Sequence, residues 1–177
     1  MAMRSGVLPP PESFEGPFPR RPLLAFLHIL PGLLFVVLGP LQLARPIRDR
    51  FPSLHRWSGR VYLIAGVLIA YSAVRLVLNR SFGGPSETSA AILFAVLLLS
   101  CLGMAFAQIR RRHLREHREW MIRGFAIGLA VVTIRPVVGI YLAFSDYSIQ
   151  EVLGSAFWIS FTIHLIAAEV WVHLTRP

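Results

Sequence analysis

The sequence predicts an all-α protein, a polytopic transmembrane helical bundle of about five spans. Three observations carry this expectation. Of the 177 residues, 55% are hydrophobic and the mean hydropathy is +0.60, too apolar for a soluble domain of this size. The apolar residues are gathered into blocks of about 20, the length at which a helix crosses a bilayer core. Most of the 18 basic residues, all arginine, fall between or at the ends of those blocks, Arg75 and Arg135 being set within them, and those outside are placed as topology signals are.

Residues 1–21 contain Pro9-Pro10-Pro11, Pro17 and Pro19 with little apolar periodicity. They read as an extended, Pro-rich tail without the layout of a signal peptide. Residues 22–177 form the helical bundle domain. The first span is expected over Leu23 to Ala44 and the second over Trp57 to Leu78, with a Gly-Gly-Pro turn between Asn79 and Thr88. The third covers Ser89 to Ile109, the fourth Trp120 to Phe144 and the fifth Val152 to Leu174.

The link after the first span carries Arg45, Arg48, Arg50, Arg56 and Arg60, and that after the third carries Arg110, Arg111, Arg112, Arg115, Arg118 and Arg123. Near its membrane ends the opposite side has Arg4, Arg20, Arg21 and Arg80. The positive-inside rule therefore places both arginine links on the cytoplasmic side of a bacterial inner membrane, the N-terminus outside and the C-terminus inside. The same distribution explains the formal charge of +9 without nucleic acid, because the arginines sit between apolar blocks and form no separate basic domain. The lone Cys101 lies in an apolar run and offers neither a disulfide framework nor a thiolate metal site.

Two stretches look like copies of one design. Leu38-Gly39, Gln42 and then His55-Arg56-Trp57-Ser58-Gly59-Arg60 correspond to Leu102-Gly103, Gln108 and then His117-Arg118-Glu119-Trp120-Met121-Ile122-Arg123. Spans one and two would then repeat as spans three and four in the same orientation. Interfacial Trp and Arg recur at span ends independently, so duplication and convergence both stand.

Helical spacing sorts the polar residues onto stripes. His28, Gly32, Phe35, Gly39 and Gln42 share one face of the first span. Gly124, Gly128, Arg135 and Gly139 share one of the fourth, and Ser155, Thr162, Glu169 and His173 one of the fifth. Small and polar stripes are expected to face the bundle interior. By depth, His28, Arg135 and His164 form an outer group, and His55, Arg60, His117, Arg123, Glu169 and His173 an inner one. Glu169 is expected to pair with Arg123 or Arg60, and Arg135, a mid-span charge beside Pro136, is expected to face protein, water or a ligand.

Two histidines across a bundle can hold the iron of a b-type haem while arginines meet its propionates. His55 with His117 or His173 would make an inner site, and His28 with His164 an outer one. A quinone or small hydrophobic acid held by Arg135 and His28 is a second chemistry. The plainer readings stay beside these: His55 and His117 as interfacial anchors, His28 as a hydrogen-bonded core histidine. A proton relay would need more acids than Glu169, and soluble-enzyme motifs are missing from the sequence.

Leu27-His28-Ile29, Leu38-Gly39-Pro40-Leu41-Gln42, His55 to Tyr62, His117 to Arg123, Thr133-Ile134-Arg135 and Ala168-Glu169, in this order, resemble the bacterial family of predicted membrane proteins known as domain of unknown function 2306. The resemblance spans Leu27 to Val170 and implies a multi-span membrane protein. It also draws attention to His28, His55, His117, Arg135 and Glu169. Relatives tend to carry asparagine where this chain has His164, which weighs against a general bis-histidine haem in the outer group. The function expected is a redox or cofactor-binding membrane protein handling b-type haem or quinone, with lipid or small-molecule binding or transport as the alternative.

Overall fold

The structure is a computed structural model that describes residues 22–79 and 81–176. The tail expected over residues 1–21, and with it Arg4, Arg20 and Arg21, lies outside the described residues, as does Arg80. The described chain is all α-helix: α1 Pro22–Leu43, α2 Arg45–Arg50, α3 Pro52–Asn79, α4 Gly84–Arg110, α5 Leu114–Phe144 and α6 Ile149–Leu174. Five of these helices, all but the six-residue α2, are long and apolar enough to cross a membrane.

The expected spans are present, and α3, α4 and α5 begin earlier than their apolar blocks suggest, α4 at Gly84 rather than Ser89, so that the turn expected over Asn79 to Thr88 is helical in its second half. α3 starts at Pro52 rather than Trp57, and α5 at Leu114 rather than Trp120. Hydropathy detects the part of a helix that sits in hydrocarbon, whereas backbone hydrogen bonding continues into the polar boundary. At 31 residues, α5 is longer than the ~20 a bilayer core needs. Its first turns therefore carry His117 and Arg118 at the arginine-rich end of the bundle. The link expected between the first two spans also holds structure, since Pro46 near the start of α2 suits a helical first turn.

α1 packs along α3, α3 along α4, α4 along α5 and α6, and α5 along α6; α1 also touches α5, which closes the bundle. Two aromatic groups fill the interior. Phe35 of α1, fully buried, stacks on Tyr62 of α3 with ring centroids 4.1 Å apart and lies 6.4 Å from Phe125 of α5. Phe94 of α4 stacks on Phe161 of α6 at 4.3 Å and meets Trp158 edge-on at 5.7 Å. Close approach to the first group requires Gly128, because a Cβ there would run into the Phe35 ring. Outward faces carry Phe26, Leu33, Ile64, Val96, Val132 and Ile163, all exposed, as expected of surfaces that meet lipid.

The stripe expected in the first span faces inward over its second half, with Phe35, Gly39 and Gln42 buried, while His28 is half-buried and Gly32 borders open space. The other two need correction. In α5, Gly124 and Gly128 pack against Leu102 and Phe35, but Arg135 is exposed and Gly139 borders open space. In α6, Ser155, Thr162, Glu169 and His173 all face outward, and Gly154, Ala156, Ser160, Phe161 and Ala168 are buried instead. In lipid an apolar side chain gains nothing by leaving its solvent, so shape decides which face packs, and small and aromatic residues outcompete polar ones.

Candidate binding cavity at the arginine-rich end

The turn Arg111–His113 and the starts of α3 and α5 gather the two repeated motifs at one end. His55 and His117 are each the fourth residue of their helices, α3 and α5. Both line a single cavity of about 1210 Å³. Eight arginines join them: Arg45 and Arg48 from α2, Arg56 and Arg60 from α3, Arg110 from α4, Arg115 and Arg118 from α5, and Arg176 beyond α6. Leu43, Leu63, Phe106, Ile109, Met121 and Leu174 supply apolar wall.

The two imidazoles are held differently. Nδ1 of His117 lies 2.8 Å from the carbonyl oxygen of Ala105, which can only accept, so Nδ1 donates there and Nε2 is left without a hydrogen-bond partner among the described residues. Nδ1 of His55 is buried without a hydrogen-bond partner among the described residues. Beneath them, Gln42 Nε2 donates to Ser58 Oγ at 2.7 Å, and Ser58 donates to the Leu54 carbonyl at 2.7 Å. This ties the end of α1 to the first turns of α3.

Glu119 is the one acid lining the cavity. It is buried and accepts two hydrogen bonds from Arg176, Nε to Oε1 at 2.9 Å and Nη2 to Oε2 at 2.8 Å. The same contact holds the Arg176 guanidinium above its ordinary pKa. Arg123 lies 3.8 Å from Glu119 and forms a bidentate pair with Glu169, at 2.5 and 2.9 Å. Its guanidinium also sits 4.9 Å over the Trp120 ring. Glu169–Arg123–Glu119–Arg176 is thus a charge-balanced chain joining α5 to α6. Arg118 adds a hydrogen bond to Thr175 at 3.2 Å.

Of the residues singled out from sequence, His55, His117 and Arg60 meet at this cavity. Glu169 pairs with Arg123 and not Arg60, and the pair is not enclosed, since the Glu169 side chain is 55% exposed. His173 shares with Glu169 a shallow open hollow on the outward face of α6, which adjoins the cavity at Leu174, but neither residue lines the cavity itself. No hydrogen bond among the described residues draws the outer group together. His28 Nδ1 is 3.0 Å from Ser72 Oγ of α3, His164 Nδ1 is 3.0 Å from the Ser160 carbonyl, and Arg135 stands exposed. Sequence reasoning missed Ser58, Glu119 and Arg176. Glu119 sits inside the quoted His117–Arg123 motif, yet its partner is 57 residues away, and no local spacing links them.

Among the described residues no three or more His, Cys, Asp or Glu side chains converge as a metal site would require. Iron held in a porphyrin needs only two axial side chains, so that form of metal binding remains compatible with the cavity.

Fold and site together define a polytopic helical membrane protein with a basic, histidine-bearing cavity at one end of its bundle. The chain belongs to the family described as predicted membrane protein (DUF2306), which matches residues 25–172. No curated protein and no solved structure matches the chain.

Proposed function

We propose that this protein is a redox or cofactor-binding protein of the bacterial inner membrane, that b-type haem occupies the cavity between His55 and His117, and that the arginines around it meet the propionates. The observation that carries the reading is the state of the two imidazoles. Each borders the same cavity, and Nε2 of each is free of hydrogen bonds among the described residues, while Nδ1 of His55 is buried. A backbone carbonyl on the far nitrogen of His117 is the arrangement that orients an axial imidazole and raises its basicity. Apolar walls suit the porphyrin faces, and bidentate guanidinium contacts suit carboxylates.

When bound, haem supplies one-electron chemistry at its iron; the chain's own residues orient it, neutralise its carboxylates and shield it from water. The inner site is favoured over the quinone reading of His28 and Arg135. His28 is already engaged by Ser72, and Arg135 faces away from the bundle. The bias of arginine toward the cavity end supports a cytoplasmic position for it, with the N-terminus on the other side.

The test is the visible spectrum of protein purified from haem-replete cells. A Soret band that shifts on dithionite reduction is expected, with His55→Ala and His117→Ala each losing the six-coordinate low-spin form and His28→Ala and His164→Ala leaving it unchanged. Protein without a Soret band or a reduction-dependent change would overturn the haem reading.

A further inference from the structure

The cavity holds more positive charge than a haem can neutralise. Among the described residues eight guanidiniums line it against a single carboxylate, Glu119, which is already doubly bonded by Arg176. Two propionates would leave most of the remainder unmatched. Arg45, Arg60 and Arg110 have no acidic partner among the described residues. The partners of Arg48 and Arg115 are their sequence neighbours Asp49 and Glu116, at 3.4 and 4.0 Å on exposed side chains, and such pairs contribute little.

This is not the general basicity of an arginine-rich membrane face. Arg50, Arg111 and Arg112 occupy the same end and do not line the cavity, whereas the others converge on it from α2, α3, α4, α5 and the segment beyond α6. Like charges brought into one concavity repel, and the arrangement becomes favourable once a multiply charged anion sits among them. The space allows it: about 1210 Å³ exceeds the range of roughly 300–1,000 Å³ usual for a single small-molecule site.

We propose that the arginine rim centred on Arg45, Arg60 and Arg110 binds the phosphate groups of an amphipathic ligand, either the headgroup of an anionic phospholipid or a soluble organophosphate. Guanidinium presents paired donors that match phosphate oxygens bidentately. The adjoining Leu43, Phe106 and Ile109 give an apolar ligand segment a wall to lie on. The inference uses the same cavity as the haem reading but depends on neither histidine nor iron.

The experiment is calorimetric titration of the purified full-length protein in non-ionic detergent with three probes: dihexanoyl phosphatidylglycerol, dihexanoyl phosphatidylcholine and inorganic pyrophosphate. Haem content is measured on the same samples. The anionic lipid is expected to bind at least tenfold more tightly than the zwitterionic one, with affinity falling as salt rises. Arg45→Gln/Arg60→Gln/Arg110→Gln should weaken that binding by about tenfold for each guanidinium removed. Arg45→Gln alone, on the exposed α2, gives a readout if the triple variant does not fold. Pyrophosphate binding tighter than phosphatidylglycerol, with the same weakening in the variants, identifies a soluble organophosphate as the source. Equal binding of the two lipids together with no pyrophosphate binding, or variants that bind all probes like the parent, overturns the proposal. Because haem is read separately, its absence with phosphate binding intact would sink the haem reading alone.

Discussion

Two of the histidines whose Nδ1 is hydrogen-bonded, His28 and His117, each meet a neighbouring helix and differ in what surrounds the rest of the ring. His28 faces Ser72 of the neighbouring helix, an interhelical contact within the bundle, whereas His117 faces a carbonyl and borders a cavity. Sequence spacing ranked both as candidates, because spacing reports a face and not a partner. Arg135 shows the same limit: its depth was legible, its direction was not. It makes no hydrogen bond or ion pair among the described residues and lies nine residues before the end of α5, close enough for its long side chain to reach toward the boundary. Arg135→Leu is therefore expected to leave both thermal stability and the spectrum of any bound haem unchanged; a change in either would show that Arg135 turns inward. The Arg123–Glu169 pair gives an asymmetric expectation. Glu169→Gln leaves Arg123 with Glu119 at 3.8 Å, but Arg123→Gln removes the one ion-pair partner of Glu169 among the described residues and leaves it only the more distant Arg176. Arg123→Gln should lower the melting temperature in detergent distinctly more than Glu169→Gln, since an unpaired charge at a low-dielectric boundary is the costlier state. Equal shifts would mean that the pair is held apart in solution.

Helix existence was legible from apolar block length, and helix ends were not, because ends are decided by capping contacts that hydropathy does not register. The turn after α4 illustrates this. The amide of His113 donates to the Gln108 carbonyl at 3.0 Å and that of Arg112 to the Ile109 carbonyl at 3.1 Å, the paired bonds of a Schellman ending. Arg112 sits at the left-handed position with φ +62°, where a side chain is strained and glycine is not. Arg112→Gly should stabilise the protein by about 1 kcal/mol, read as a raised midpoint of unfolding, and because Arg112 does not line the cavity, ligand binding should be unaffected. The turn before α4 uses another device. Glu87, buried, accepts from Ser81 Oγ at 2.9 Å and from the Gly83 amide at 2.6 Å, while Gly84 takes φ +71°. The Gly-Gly-Pro signal located that turn, but an acid buried at a membrane boundary is read from sequence as an exposed one, and only its local hydrogen bonds explain it.

At the scale of the molecule, span number and order followed from the sequence because bilayer thickness fixes helix length, and the bundle's inward faces followed less well because lipid removes the hydrophobic penalty that sorts faces in water. The cavity lay further still from reach, since it is assembled from helix ends that are distant in the chain. What the sequence does supply is an orientation, and the fold makes it testable. The arginine-rich end carries the turn at His113, whereas the α5–α6 turn at the other end carries Asp146 and no arginine. Membrane insertion retains arginine-rich short links in the cytoplasm, so the cavity should open to that side. Cys101 is buried, so a Cys101→Ala background removes the native thiol from a site that reagents reach poorly. On it, Tyr147→Cys, at a position 60% exposed in the α5–α6 turn, should react with a membrane-impermeant maleimide in intact cells. His113→Cys should react only after the cells are broken open. The opposite pattern would reverse the molecule in the membrane, put the arginine rim on the external face, and limit its phosphate-bearing ligands to those of the outer leaflet or the outside.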